Sequence, residues 1–264
     1  MKRLAVAVLA VGLLLVPVAA ADDGVMLIRF PEGMSVRQMA DQVSAVRLIA
    51  IHERHITPVL TGAAYAKAAA RASAPADFRT DDTRRSIEGF LFPATYEFVQ
   101  DTTADQLIHQ QVLAFDQRWG MVKLSPRAKK LSPYAVVTIA SMVEREAVVP
   151  SERAKIAAVI YNRLDKDMPL GIDATIRYGL GIQGTRPLTA AELANQSPYN
   201  TDIRPGLPTT PIGNPGLPSL QAAAAPADVD YLYYLRKPNS QHHFFTDSES
   251  EFCAKAQAWG YHGC

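Results

Sequence analysis

The stretch that most constrains how this chain folds runs from Ser132 to Ala147. Ser132 can cap a helix, and Pro133 follows at the first helical position, where proline's missing N–H costs nothing. At about 100° per residue, Val136, Ala140, Val143 and Ala147 fall in one narrow arc, with Ile139 on one edge and Val137 on the other. Such a helix has to lie against a core. Arg145 points the opposite way, to solvent, while Glu144 and Glu146 occupy opposite borders of the apolar face, about 160° apart. They cannot act as a neighbouring carboxylate pair, and at most one enters a given cleft. A glutamate on that border is a general-acid candidate, because partial burial raises its pKa toward the range where it can donate a proton. The alternative is a solvated glutamate, or one paired with a neighbour such as Arg153.

The flanking sequence supplies the rest of a mixed architecture. Ser151 is expected to cap a second helix, with Ile156, Val159, Ile160 and Leu164 inward, ending near Lys166. Upstream, Val25 to Phe30 reads as a strand, Pro31 to Gly33 as a turn, and Ser35 as the cap of a helix carrying Val36, Met39, Ala40 and Val43. Ala63 to Ala72 is helical and 73–82 a loop. The run Ile87 to Tyr96 packs its aromatics around Gly89 and Pro93, as a wedge or a cleft wall. Thr103 to Trp119 has helical spacing, with Leu107, Val112, Leu113 and Phe115 on its apolar side. Tyr231 to Arg236 and His242 to Thr246 form a hairpin around Pro238 and Asn239. The fold class expected is α+β.

Composition narrows the function. With 48% hydrophobic residues the 264-residue chain is too apolar for disorder, and 27 Lys+Arg against 26 Asp+Glu lacks the basic excess of a nucleic-acid binder. The six histidines make no metal site: His52 with His55, and His242 with His243, lack a third spaced partner. His242 and His243, beside Phe244 and Phe245, read as a strand end. No phosphate loop, dinucleotide fingerprint or nucleophile elbow occurs. Lys2 and Arg3 precede an uncharged run from Leu4 to Ala21, the pattern of a secretory signal or of a single membrane span with its N-terminus inside. Either places the remainder outside the cytoplasm, anchored in the plasma membrane or released to the periplasm. There a Cys253 to Cys264 bridge would close a short loop and add about 2–3 kcal/mol.

A series of motifs carries a resemblance. Ala140 to Glu146, Ser151-Glu152-Arg153, Ala158 to Leu164, Met168-Pro169-Leu170, Asp173 to Gly179, Ser197 to Thr201, Gly206-Leu207-Pro208, Pro211 to Gly216 and His242 to Thr246 stand in the order of the MltG (YceG-like) family of endolytic murein transglycosylases. Glu88 to Tyr96 resembles that family's aromatic segment. The resemblance spans Val25 to Thr246.

The resemblance implies cleavage of the β-1,4 bond between N-acetylmuramic acid and N-acetylglucosamine with formation of a 1,6-anhydro sugar, a reaction for which one carboxyl suffices. It assigns catalysis to Glu146 and a structural or orienting role to Glu144. Asn162, Asp173, Thr175, Tyr178, Tyr199, Asn200, Asn214 and His242 lie on matched motifs as supporting or glycan-binding candidates, with turn positions the alternative for Tyr178 and Asn214. Peptidoglycan strands are the implied substrate and wall-synthesis enzymes the implied partners; no cofactor is implied. Three positions depart from the family's pattern: Ala147 replaces Thr or Ser, Gly171 replaces Gln, and Glu251 replaces a late His. Rival readings are a hydrolase using Glu146 with Asp173 or Asp202 to hold a water, and a weakly active or inert peptidoglycan-binding protein. The expected organisation is a signal or anchor over 1–21, a reduced LysM-like module and connector over 22–85 with one βα unit ending near Ala45, and a catalytic domain over 86–264.

Overall fold

The computed structural model describes residues 24–78 and 85–261. The apolar run at residues 4–21 and Cys264, the partner expected for Cys253, lie outside them. In chain order the elements are β1 (Met26–Arg29), α1 (Val36–Arg54), α2 (Gly62–Arg71), β2 (Thr95–Phe98), α3 (Ala104–Trp119), α4 (Pro133–Glu146), α5 (Arg153–Asp165), α6 (Asp173–Leu180), α7 (Ala190–Leu193), α8 (Leu217–Ala224), β3 (Tyr233–Arg236), β4 (His243–Thr246) and α9 (Glu249–Ala258). The fold is α+β: helices form its bulk, and two antiparallel two-stranded sheets, β1 with β2 and β3 with β4, flank them. Among the described residues no helix is long and apolar enough to cross a membrane.

Helix α4 starts where its cap predicts: the Ser132 hydroxyl accepts from the Ala135 N–H, and Pro133 occupies the first turn. Its burial is wider than one arc. Every residue from Val136 to Val143 is buried, because α5, α6 and α8 all pack against it. The two polar residues in that stretch are satisfied locally. Thr138 donates to the Tyr134 carbonyl, and Ser141 donates to the Thr138 carbonyl while accepting from the Ile212 N–H.

Helix α5 begins differently from its prediction. Ser151 is exposed in a 3-10 turn, Pro150–Glu152, and makes no cap; Glu152 holds the cap position with its side chain turned away to the β3–β4 hairpin. Ile156, Val159 and Ile160 are buried as expected, with Leu164 at the edge.

The N-terminal region is larger than one βα unit. The Ser35 and Gln38 side chains form a reciprocal capping box, α1 continues past Ala45 to Arg54, and α2 packs against it. β2 then returns to pair with β1, Met26 opposite Phe98 and Arg29 opposite Thr95. The expected division at residue 85 therefore runs through a sheet, and one hydrophobic core continues across it. On α3 the inward residues are Leu107, Ile108, Gln111 and Phe115; Leu113 is exposed, since six residues after Leu107 the helix has turned it to the far side.

The aromatic segment is a core wedge. Phe90 meets Phe78 and Phe115 edge-on, each with ring centroids 4.9 Å apart. Gly89 makes the insertion possible with a φ of 93°: a Cβ there would lie 2.7 Å from Pro211 and 3.0 Å from Val137. Gly89→Ala is therefore expected to cost about 2–4 kcal/mol, from positive-φ strain and overpacking together. Urea denaturation checks this, and a loss under about 1 kcal/mol contradicts so tight a fit.

Candidate active site

The last turn of α4 sends its two glutamates apart, as helix geometry requires. The Glu144 side chain is 7% exposed; its carboxylate accepts from the Gly216 N–H at 3.0 Å and lies 3.7 Å from Arg153. Gly216 caps α8, so Glu144 places negative charge at a helix N-terminus and ties α4 to α8. The predicted pairing with Arg153 thus falls to Glu144. Arg145 is exposed, yet its guanidinium folds back to donate to the Gly33 carbonyl at 3.1 Å.

Glu146 is half-buried at the end of α4 and has, among the described residues, one hydrogen-bond donor, the Tyr234 hydroxyl of β3, at 3.1 Å. Burial raises its pKa, and the Asp173 carboxylate at the start of α6 raises it further; Tyr234 and Arg145 pull it down. The balance sets it at about 7. A carboxyl so tuned holds a proton near neutrality and can give it up or take it back.

Tyr234 is positioned through Glu152. That carboxylate accepts from the His243 N–H, from His243 Nδ1 at 2.7 Å and from His242 Nδ1 at 3.1 Å, fixing β4 and with it β3. Burial opposes ionisation of Glu152, but the hydrogen bonds from His243 and His242 outweigh it and its pKa is lowered. His242 therefore serves the frame and stays largely exposed, and His243 opens β4, as its strand-end reading predicts. The Tyr234 ring meets His243 edge-on.

A second glutamate poised near neutrality, Glu88, escaped the sequence reading. Glu88 is 3% exposed and accepts from the Val36 N–H at 3.1 Å, from Tyr178 at 3.0 Å and from the Asn214 amide at 3.0 Å. Burial outweighs these bonds and raises its pKa to about 7. It joins the start of α1, α6 and the loop before α8, and lines a cleft of about 370 Å³ with Ser35, Arg37, Tyr178 and Tyr199. The available signal was a lone charge in an aromatic, Gly- and Pro-containing run.

The other predicted residues divide by what engages them. Asn162 donates to the Val229 and Tyr231 carbonyls; Thr175 donates to the Ile172 carbonyl and meets Thr201; Asn200 donates to the Leu193 and Asn195 carbonyls and accepts from the Asp202 N–H. Asn214 also accepts from the Gly89 and Leu91 N–H groups. These four are engaged in the frame, Asn162 through its amide N–H groups. Tyr178 is on α6, not in a turn, and Tyr199 packs edge-on against it in the cleft, its hydroxyl meeting Thr210. Asp173 is exposed beside Glu146. Of the three departures, Gly171 has a φ of 64° with Arg163 Nη1 3.0 Å from where a Cβ would lie, and Glu251 accepts from Thr246 at 2.6 Å, anchoring β4 to α9. Ala147 caps α4.

Both Glu88 and Glu146 bind protons more tightly folded than unfolded, so between about pH 4.5 and 7 the folded state holds more protons and stability falls as pH rises. Glu88→Gln is expected to remove on the order of 2 kcal/mol of that fall. Denaturation at pH 5 and pH 7.5 measures it; an unchanged slope contradicts the burial of a titrating carboxyl there.

Comparison with known proteins follows the same lines. An endolytic murein transglycosylase of Bacillus subtilis (strain 168) is 39% identical over 166 residues, 62% of this chain and 46% of that protein. One of Streptococcus pneumoniae (strain ATCC BAA-255 / R6) is 35% identical over 156 residues, 58% of this chain and 28% of that protein. The matched region thus spans less than half the length of either curated relative. The crystal structure of a yceG-like protein from Listeria monocytogenes superposes with a TM-score of 0.67 at 31% identity, covering 87% of this chain and 75% of that one. The model of the YceG-like family matches residues 8–258, and the chain belongs to that family.

Proposed function

We propose that this protein is an endolytic peptidoglycan lytic transglycosylase in which Glu146 is both acid and base. The observation that carries the reading is the Glu146 carboxyl itself: half-buried, held among the described residues by a single donor, and poised at about 7. Glu88 has a similar pKa, but its oxygens are filled by Val36, Tyr178 and Asn214. Glu144 is committed to Gly216 and Arg153. The names of the Bacillus and Streptococcus relatives support the same activity.

In the proposed reaction, protonated Glu146 gives its proton to the glycosidic oxygen as the bond from that oxygen to C1 of N-acetylmuramic acid breaks. The C6 hydroxyl of the same sugar then bonds to C1, and its proton passes to the Glu146 carboxylate. The acid is restored and a 1,6-anhydro end remains, with no water consumed. Tyr234 steadies the carboxylate at the intermediate stage. Asp173 acts from a distance by keeping the proton on Glu146 in the resting state. The segment at residues 1–21, as signal or single membrane anchor, would deliver the domain to the extracytoplasmic face of the plasma membrane, where it would act in wall assembly alongside the synthases. Residues 22–85 would supply its N-terminal module, sharing a sheet and a core with the catalytic body of 86–264 rather than folding apart from it.

Glu146→Gln should lower the release of anhydro ends from murein by about 10²–10⁴-fold, with Glu144→Gln judged against it for folding by thermal melting. Activity should fall on the alkaline side near pH 7 as Glu146 loses its proton. Two further variants should move that limb in opposite directions. Tyr234→Phe removes a bond that favours the charged form and shifts it to higher pH; Asp173→Asn removes a nearby negative charge and shifts it to lower pH. If Asp173→Asn instead abolishes turnover at every pH, Asp173 is handling a water and the hydrolase reading gains. A Glu146→Gln protein as active as its parent ends the assignment.

A further inference from the structure

We propose that Arg37, Arg145 and Arg177 form a carboxylate-binding subsite for the acidic arm of the muramic sugar, beside the Glu146 carboxyl. The inference rests on the function proposed above and assigns the site's register on its substrate. The arginines come from three helices, α1, α4 and α6, and line one depression with Ser35, Gln38 and Tyr178. Ser35, Arg37 and Tyr178 also line the cleft of about 370 Å³, so the two adjoin; the depression itself holds only about 10 Å³, and an anion would sit at its mouth.

Among the described residues, no carboxylate lies within ion-pair distance of the three guanidiniums. Arg145 donates to the Gly33 carbonyl and Arg177 to the Gly184 and Arg186 carbonyls, partners that neutralise no charge. Arg37 lies over Gly181, where a Cβ would come within 2.6 Å of its Nη1. Nearby Glu88 has its oxygens taken by Val36, Tyr178 and Asn214. Partial burial of its guanidinium depresses the Arg145 pKa, and Arg177 adds to that against the stronger pull of Glu146 and Glu88. Three guanidiniums gathered with no carboxylate in contact present a surface that draws an incoming anion. Guanidinium forks match a carboxylate in two-point geometry.

The location suits one sugar. Arg145 is adjacent to Glu146 in sequence, and Arg177 lies one turn along α6 from Asp173, about 5–6 Å away, whose charge is felt at Glu146. In a murein strand N-acetylglucosamine is uncharged, whereas N-acetylmuramic acid carries a lactyl arm that ends in a carboxylate or continues into an acidic peptide. Holding that arm beside Glu146 places the muramic C6 hydroxyl, rather than that of the neighbouring sugar, where the anhydro ring has to close.

The test uses Glu146→Gln protein, which retains glycan uncut, and soluble strands either peptide-bearing or stripped of peptide, each native or with carboxyls converted to methyl amides. Titration calorimetry should show amidation weakening binding about tenfold. Adding Arg37→Gln and Arg177→Gln should weaken binding of native strands by a similar factor and remove the difference between native and amidated forms. Lysine at both positions should keep part of the preference, and an unchanged Tm for both double variants separates this from misfolding. A preference on stripped strands identifies the lactyl carboxylate as ligand; one confined to peptide-bearing strands identifies the peptide's. The proposal is overturned if the parent ignores amidation or the glutamine pair discriminates as the parent does. A Glu146-containing protein that yields no anhydro ends would instead sink the lyase reading, with the binding comparison still decisive for the subsite.

Discussion

A helix buried on every side can offer a polar group to a substrate only at its ends, and α4 is such a helix. From Val136 to Val143 it meets α5, α6 and α8 without a solvent face. Its last turn is where side chains leave the core and where three charged residues stand in succession. The core therefore fixes Glu146 as rigidly as a packed aliphatic residue, up to the carboxyl. The wide burial is also why that carboxyl is poorly hydrated, so positioning and proton affinity have one cause.

Around that helix end, carboxylates do unequal work. Glu144 ties α4 to the start of α8, Glu152 ties α5 to the β3–β4 hairpin, and Glu88 ties α1 to α6 and to Asn214. Each accepts backbone N–H bonds and spans segments far apart in sequence. Removing one partner would leave buried polar groups unpaired, so these ties fix geometry more than they add net stability. Among the described residues Glu146 accepts no backbone bond and has one side-chain donor. The contrast separates a carboxylate that holds the frame from one free to exchange a proton with a sugar.

Much of this was legible in the chain where the physics is local. The Ser132 cap, the Pro133 start, the Ser35 cap and the opposite bearings of Glu144 and Glu146 all follow from helix geometry within a few residues. Ser151 misled because its cap role was displaced by a 3-10 turn that frees Glu152 to reach His243, ninety-one residues away. Glu88 was invisible for the same kind of reason. Its partners Val36, Tyr178 and Asn214 are brought together only by the finished fold, and the pairing of β1 with β2 across the supposed module boundary is equally non-local. The motif resemblance pointed to Glu146, while periodicity alone left the choice between two glutamates open.

The central claim, that one carboxyl cleaves the glycan by turning the sugar's own hydroxyl into the nucleophile, is tested most directly by digesting murein strands in ¹⁸O-water and weighing the new muramic ends. The account predicts ends lighter than a reducing sugar by one water and free of label. Reducing ends carrying the heavy oxygen would contradict it, because a water would then have done what the C6 hydroxyl is proposed to do.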